Sequence, residues 1–272
     1  MPSDSRRLAV PEISINPCLY KKECKNFILT KDGARKDGRK DEELRDLFVK
    51  CGLVSEATGS AYCEIGNNKV VCAVHGPKDI EQKEDYQMDG KVVCEVKFAP
   101  FSCQQRKEHI PSSEENELSE MLTEAMQSVV CLDKFPKSQI EIYVIILDNG
   151  GSAMSAVFMA ASFALADASI DTYDILTACS VRVIGKDLFL VDPDQIEEDL
   201  ENLPEDFDAS CNALVTVAVL PTLNQVSALS CSGIMSSEVL AEATDLCVNS
   251  AQSRYMTMRE CLQNTLKSTN NN

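Results

Sequence analysis

Histidine is scarce in this chain of 272 residues, and cysteine pairs in the spacing C-x-x-C are absent. The only histidines are His75 and His109. A zinc site needs clustered thiolates or imidazoles, so the sequence offers no recognisable one. Nucleophilic catalysis by a Cys–His pair has little support either, because neither histidine lies in a recognisable motif. We therefore expect no metal site and no cofactor.

Long apolar runs are also missing. No run reaches the roughly 18 to 20 residues that a membrane-spanning helix needs. The first residues, MPSDSRRLAVPEIS, contain no apolar stretch of the signal-peptide type. These absences predict a protein of the cytosol or nucleus with no membrane partner.

Positive charge is in deficit. Lysine and arginine number 26 against 43 acidic residues, which gives a net charge of −17. Such a balance argues against tight binding of nucleic acid by the chain alone, because phosphates are repelled. Ten of the acidic side chains fall between residues 187 and 208, a stretch without a basic residue. We interpret this stretch as a solvated loop or helix face.

Cysteine, in contrast, is abundant. There are thirteen, an odd number, and most lie in apolar segments such as KVVCAV and VVCEV. This usage is typical of a reducing compartment in which cysteine serves as a small hydrophobic residue.

The hydrophobic pattern predicts an α+β fold with mixed β-sheets and helices packed on one face of them. Two hairpins are predicted at Gly66 and Gly185. A helix should begin after Ser112, which has capping-box spacing to Glu115. The apolar segment 152–168 predicts a second, central helix. We divide the chain into a polar N-terminal arm (1–45), a single domain (46–266) and a frayed tail (267–272).

The turn Gly150-Gly151-Ser152 is the first candidate site. A strand, a glycine-rich turn and a helix start point backbone N–H groups at a bound anion. However, Ala153 and Met154 follow where a phosphate-handling enzyme would carry a cation. On the residues alone, Ser152 is better interpreted as a helix N-cap.

Two further clusters carry charge. Five carboxylates could offer oxygen ligands to Mg²⁺, or could form a solvated acidic helix start; they are Asp192, Asp194, Glu197, Glu198 and Asp199. The basic stretch CQQRKEH places Arg106 and Lys107 where they could touch RNA, although such a loop is more often plain surface.

Several stretches, taken in order, resemble the RNase PH family of phosphorolytic exoribonucleases, and most closely its ring-forming members in the RNA exosome. They are GSAYCEIGNNKVVCAVHGPK, APFSCQQRK, NELSEMLTEAM, DKFPKSQIEIYVIIL, GGSAMSAVFMAASFALADA, DTYDILTACSV and VAVLPTLNQVSAL. The resemblance implies an RNase PH-like fold over about four fifths of the chain.

The resemblance also implies a degenerate site. In that family an arginine follows the Gly-Gly-Ser/Thr turn, where this chain has Ala153. An arginine pair opens the preceding helix, where this chain has Ser113 and Glu114. Of two aspartates six positions apart, Asp192 matches the first and Glu198 takes the place of the second. The acidic half of the site is thus approximately kept, and the cationic half is lost.

The assembly implied by this resemblance is a six-subunit ring built from heterodimers of RNase PH-like subunits. RNA-binding subunits cap the ring, and RNA is threaded through it to nucleases bound elsewhere. The implied locations are nucleus, nucleolus and cytoplasm. Two rivals to a non-catalytic ring subunit stay open: an active phosphate-dependent exoribonuclease with a composite site, and an unrelated binding protein of similar pattern.

Overall fold

The computed structural model describes residues 35–80, 89–103, 106–108, 110–199 and 211–270. The strands are β1 (Leu47–Cys51), β2 (Gly59–Ile65), β3 (Asn68–Asp79), β4 (Lys91–Phe98), β5 (Ser138–Asp148), β6 (Thr177–Ile184), β7 (Leu188–Val191), β8 (Asn212–Leu220) and β9 (Gln225–Ile234). The α-helices are α1 (Ser113–Val129), α2 (Ala153–Asp167), α3 (Gln195–Glu198) and α4 (Ser237–Asn270), with a 3-10 helix at Leu132–Lys134.

Two sheets form the framework. The first has the strand order β1-β2-β3-β5-β4 and the second β7-β6-β8-β9. All pairs are antiparallel except β4 and β5, which are parallel because α1 carries the chain back between them. The predicted hairpins at Gly66 and Gly185 are confirmed as the β2–β3 and β6–β7 turns. The short strand β1 was not predicted from the sequence, whereas α3 lies where an acidic helix start was one of two interpretations.

Helix α1 begins as the sequence predicts. Ser112 and Glu115 form a complete capping box, with each side chain accepting a backbone N–H of the other. The apolar stripe of the helix turns inward, so that Leu122 and Met126 are fully buried. Glu115 also accepts the N–H of Phe98 at 2.8 Å, which ties the start of α1 to the end of β4.

Helix α2 lies at the centre of the molecule, as its apolar composition predicts. Thirteen of its fifteen residues are buried. It packs against β2 and β3 of the first sheet and against β6 and β8 of the second. Gly59 permits the close approach to β2, because a Cβ there would lie 2.5 Å from the carbonyl oxygen of Ala164.

The second sheet is covered on both faces, which corrects the prediction of helices on one face. Ala178 and Ala218 belong to the core around α2. Their strand neighbours Cys179 and Val217 belong to a separate core with α4. Strand β6 is therefore buried at every position. Strands β6 and β8 are covered from both sides because their side chains alternate between α2 and α4.

Most described cysteines act as core residues. Cys63, Cys72, Cys94, Cys179, Cys211 and Cys247 are buried and free. Burial raises the thiol pKa of Cys63 and Cys179 to about 12, which keeps these groups protonated and unreactive. Among the described helices, none is long and apolar enough to cross a membrane.

Candidate functional site

The glycine-rich turn joins the end of β5 to the start of α2. Gly151 has φ +89°, and a Cβ there would lie 2.3 Å from the backbone of Asp194, so no larger residue fits. The side-chain oxygen of Asn68 accepts the N–H of Gly150 at 2.5 Å, and its amide nitrogen donates to the carbonyl of Gly151. The turn is thus clamped between β3 and the segment that follows β7.

Ser152 does not cap α2 with its side chain, contrary to the sequence interpretation. Its backbone is in the left-handed region (φ 55°), and its hydroxyl donates instead to the carbonyl of Pro193 at 3.2 Å. Its N–H, the group that would face a bound anion, donates to Glu198 Oε2 at 3.1 Å. A carboxylate of the chain itself therefore occupies an anion-binding position at the start of α2.

The Glu198 carboxyl has a raised pKa. The largest cause is burial, and the negative charges of Glu114 and Asp192 act in the same direction. The Ser152 N–H and the charge of Arg45 oppose the shift without cancelling it. The start of α1, the turn before α2 and the segment after β7 thus meet around Glu198, as expected of parts of one site.

The three positions where the family resemblance implies arginine carry no positive charge. Ala153 is the first residue of α2 and is only 7% exposed. Ser113 and Glu114 are exposed at the start of α1. The site is therefore lined by a methyl group, a hydroxyl and a carboxylate.

Lys107 is a cation beside the start of α1. Its ammonium lies 2.7 Å from Glu114 Oε2 and 3.6 Å from the ring centroid of Phe98. The adjacent Arg106 is exposed. Of the two predicted RNA contacts, Lys107 is thus held by a carboxylate and an aromatic ring, and Arg106 points into solvent.

Asp192 is fully buried and is fixed by two arginines. Its Oδ1 lies 2.7 Å from Arg45 Nη2, and its Oδ2 lies 2.5 Å from Arg254 Nη2. The two guanidinium groups hold its pKa far below the ordinary value, although burial acts in the opposite direction. Asp192 and Glu198 therefore have different hydrogen-bond partners, although the charges of both act on Arg45.

Arg45 is the residue that sequence reasoning missed. It lies directly before the predicted domain boundary, within the segment interpreted as an arm. Its guanidinium donates to the carbonyls of Gly150 and Gly151, both at 2.9 Å, as well as to Asp192. A cation does lie beneath the turn, so the positive charge is not entirely lost. However, the contacts of this cation are carbonyls and a carboxylate of the chain.

The remaining arginines of this segment act in the same way. Arg35 forms a buried salt bridge with Glu197 at 2.5 Å and donates to the carbonyls of Val191 and Asp192. Arg39 also donates to the carbonyl of Asp192. We name residues 35–45 the arginine clasp. The signal for it was present in the sequence: an arginine-rich segment and an acidic segment without any base.

The acidic segment is only partly solvated, which corrects its interpretation as a solvated face. Asp192 is 0% and Glu197 4% exposed. Asp194 and Glu197 form a capping box at the start of α3. The acids beyond Asp199 lie outside the described residues. Across the described ranges, no cluster of three or more His, Cys, Asp or Glu is arranged to hold a metal ion.

One arginine of the second sheet contrasts with the clasp. Arg182 on β6 is 0% exposed, and its three guanidinium nitrogens have no hydrogen-bond partner in the described part of the chain. Burial lowers its pKa to about 10, with nearby Asp199 opposing the shift. A buried charge without an acceptor costs stability.

Arg182→Met should therefore raise the free energy of unfolding, by about 1 kcal/mol or more, because methionine fills the space without a charge. Urea unfolding at neutral pH measures the change. The matched control is Arg254→Met, which removes a buried arginine that does have a carboxylate partner and should destabilise the protein. Loss of stability in Arg182→Met would contradict this assignment.

Comparison with known proteins identifies the class to which this arrangement belongs. The model of the RNase PH, or 3′ exoribonuclease, family, domain 1, matches residues 43–171. The exosome complex component MTR3 of Homo sapiens is 34% identical, covering 96% of this chain and 95% of that protein. Rrp41 of Pyrococcus furiosus is 33% identical, covering 87% of this chain and 90% of that protein.

A solved structure agrees at the level of fold. Rrp46 from rice (Oryza sativa) matches with a TM-score of 0.71 at 21% identity, covering 84% of this chain and 100% of that chain. The chain belongs to the RNase PH family. The family and the RNase PH-like α+β fold predicted from the sequence are both confirmed.

Proposed function

We propose that this chain is a non-catalytic ring subunit of an RNA exosome. It supports 3′-to-5′ RNA processing and degradation by nucleases bound elsewhere in the complex. The observation that carries the proposal is the hydrogen bond from the Ser152 N–H to Glu198 Oε2. An N–H at a helix start after a glycine-rich turn is a position at which an anionic ligand can bind, and here that N–H holds a side chain.

Electrostatics support the same conclusion. Phosphorolysis brings inorganic phosphate to an RNA phosphodiester, and fixed positive charge usually provides most of the stabilisation of such a transition state. The loss of one such donor costs on the order of 10² to 10³ in rate. At the three positions where the family resemblance implies a cation this chain carries none, and Glu114 places a negative charge at one of them.

The similarity to MTR3 of Homo sapiens over nearly the whole chain supports the subunit role. The partners in this proposal are other RNase PH-like subunits, as a heterodimer within a six-membered ring. RNA-binding cap subunits and RNA threaded through the ring complete the assembly. The location follows the complex, namely nucleus, nucleolus and cytoplasm. The deficit of positive charge fits a subunit that leaves RNA contact to its neighbours.

The purified full-length chain should release no nucleoside diphosphates from single-stranded RNA in the presence of Mg²⁺ and inorganic phosphate. Chromatography of the reaction products measures the release. Omission of phosphate identifies contaminating hydrolytic nuclease, and an active phosphorolytic RNase PH enzyme provides the positive reference. Phosphate-dependent turnover that co-purifies with the chain would refute the proposal.

The composite-site alternative needs a second comparison. The chain assembled with an RNase PH-like partner is assayed beside that partner alone. The proposal predicts that this chain adds no site of its own, so substitution of Glu198 leaves the activity of the assembly unchanged. Activity that depends on residues of the turn would establish the active exoribonuclease instead.

A further inference from the structure

The second sheet carries a polar row on the face that packs against α2. The residues of β6 on this face are Ala178, Ser180, Arg182 and Ile184, since side chains alternate along a strand. Ala178 belongs to the core around α2, whereas Ile184 forms a small separate cluster with Leu190. Ser180 and Arg182 therefore lie between two apolar regions, in a part of the sheet where buried polar side chains need a reason.

Arg182 has apolar neighbours on both sides within the sheet. Leu190 of β7 and Leu214 of β8 lie directly opposite it in the strand pairing. Its side chain is fully buried, and none of its three guanidinium nitrogens has a hydrogen-bond partner in the part of the chain that the structure describes. A guanidinium group has five N–H donors, and buried donors in native proteins almost always have an acceptor. The environment of Arg182 thus calls for an acceptor from outside these residues.

Two hydroxyl groups lie next to Arg182 on the same face. Ser180 Oγ and Thr216 Oγ1 are 2.9 Å apart, and both residues are buried. Each hydroxyl has one hydrogen, and their mutual hydrogen bond uses only one of the two. Ser180 and Arg182 are two residues apart, which is about 7 Å along a strand. A small ion between them can therefore accept from the hydroxyl pair and from the guanidinium group.

The arrangement of donors indicates the class of ligand. The planar fork of a guanidinium group binds two oxygens of one anion at once. A hydroxyl that donates from another direction needs a third oxygen, which a tetrahedral ion has and a single carboxylate lacks. The charge of Asp199 acts on Arg182, but no carboxylate oxygen accepts from the guanidinium nitrogens in the described ranges.

We propose that Arg182, Ser180 and Thr216 form a binding site for a small tetrahedral oxyanion of the phosphate or sulfate type. The ion lies between the guanidinium group and the hydroxyl pair and supplies the acceptor that these buried donors need. Because Arg182 is completely buried, the ligand is the free ion rather than a larger phosphate ester. The site includes no residue of the glycine-rich turn, and it does not depend on the proposed function.

The test measures binding of inorganic phosphate to the full-length chain by equilibrium dialysis at constant ionic strength. Concentrations extend into the millimolar range because the net charge of −17 opposes anions. Arg182→Met removes the guanidinium group, whereas Thr216→Val removes one hydroxyl and keeps the charge. Lys134→Met is the control with the same loss of charge as Arg182→Met, because Lys134 forms an exposed ion pair with Asp171. Circular dichroism verifies that each variant is folded.

The wild type and Lys134→Met should bind one phosphate per chain with equal affinity. Arg182→Met should bind phosphate at least about tenfold more weakly, since a hydrogen bond to a charged group contributes about 1.5 to 3 kcal/mol. Thr216→Val should also bind more weakly than the wild type. Sulfate should compete with phosphate, whereas chloride and adenosine monophosphate should not.

The free energy of unfolding provides a second measurement. A ligand that binds only the folded chain stabilises it more as the ligand concentration rises. Phosphate should therefore stabilise the wild type more than Arg182→Met, so that the advantage expected above for Arg182→Met shrinks as phosphate is added. Phosphate also stabilises folded proteins in general, and the difference between the two chains removes this common effect.

Wild-type affinity of Arg182→Met or of Thr216→Val would overturn the inference, because phosphate would then bind elsewhere. Failure of the wild type to bind phosphate would also overturn it. Equal competition by chloride would exclude an oxyanion site, and equal competition by adenosine monophosphate would exclude a site for the free ion. A stability difference between the wild type and Arg182→Met that does not change with phosphate would contradict the proposal independently.

Discussion

Replacing Asp192 with alanine should lower the free energy of unfolding by about 3 to 5 kcal/mol, the cost typical of removing one member of a buried ion pair. The carboxylate is 0% exposed and forms an ion pair with both Arg45 and Arg254. Without it, two guanidinium groups would stay buried beside each other. Urea denaturation monitored by circular dichroism measures the loss.

The matched control is Asp171→Ala, which breaks an exposed ion pair with Lys134. Exposed pairs contribute about 0 to 1 kcal/mol, so this variant should be nearly as stable as the wild type. Equal effects of the two substitutions would show that Asp192 is not a structural charge.

Acid should reproduce part of this effect in the unchanged protein. The folded pKa of Asp192 is depressed below its unfolded value of about 3.9. Its contribution to stability is therefore fully present above the unfolded pKa and is lost as the pH falls toward the folded pKa. Asp192→Asn should reduce the loss in free energy of unfolding at acid pH, as measured by urea denaturation over a pH series. An unaltered pH dependence would contradict the ion pairs of Asp192 with Arg45 and Arg254.

Placing arginine at all three positions where the family resemblance implies it should not restore phosphorolysis. The triple variant Ser113→Arg, Glu114→Arg and Ala153→Arg adds cations around a turn whose N–H is already held by Glu198. Ala153 is 7% exposed, so the new side chain also needs space that a packed core resists giving. We expect RNA binding without turnover.

The increase in RNA affinity of the triple variant should be large and should depend on salt concentration. Each phosphate neutralised on single-stranded nucleic acid contributes about 0.7 to the slope of log affinity against log salt, so three cations should steepen it by about 2. Fluorescence anisotropy across a salt series measures this slope, and diphosphate release measures turnover. The matched control, Ser237→Arg, Glu238→Arg and Ala241→Arg, makes the same three changes at the exposed start of α4.

The outcomes discriminate between causes. Turnover by the triple variant would show that missing cations were the only defect. Turnover that appears only after Glu198→Gln is added to the triple variant would show a second defect, namely that Glu198 occupies the Ser152 N–H. An effect of equal size in the control triple would show that the three positions do not face RNA specifically.

Local patterns allowed most of the fold to be predicted. The capping box at Ser112 and Glu115 and the hairpin glycines depend on residues a few positions apart, so the sequence displays them directly. Helix α2 was predicted to be central because its composition leaves no polar face. The strand β1 was missed because five residues beside a charged segment carry little periodicity.

The candidate site was predicted less completely because its contacts are distant in sequence. Ser152 has the residue type and position of an N-cap, but a left-handed backbone turns its hydroxyl to Pro193. Arg45 was assigned to an arm since nothing near it in sequence indicates its partner. The composition of the acidic segment predicted a solvated surface, and only the tertiary structure shows Asp192 between two arginines.

The arginine clasp also bears on the order in which the molecule folds. Its ion pairs join residues far apart in sequence, 147 positions for Arg45 and Asp192 and 162 for Arg35 and Glu197. Closing loops of that length is entropically unfavourable until other native contacts have formed, so such pairs should form late in folding. Substitutions in the clasp should then accelerate unfolding while leaving the refolding rate nearly unchanged. The contacts that hold the glycine-rich turn in place would thus stabilise the native state chiefly by slowing its unfolding.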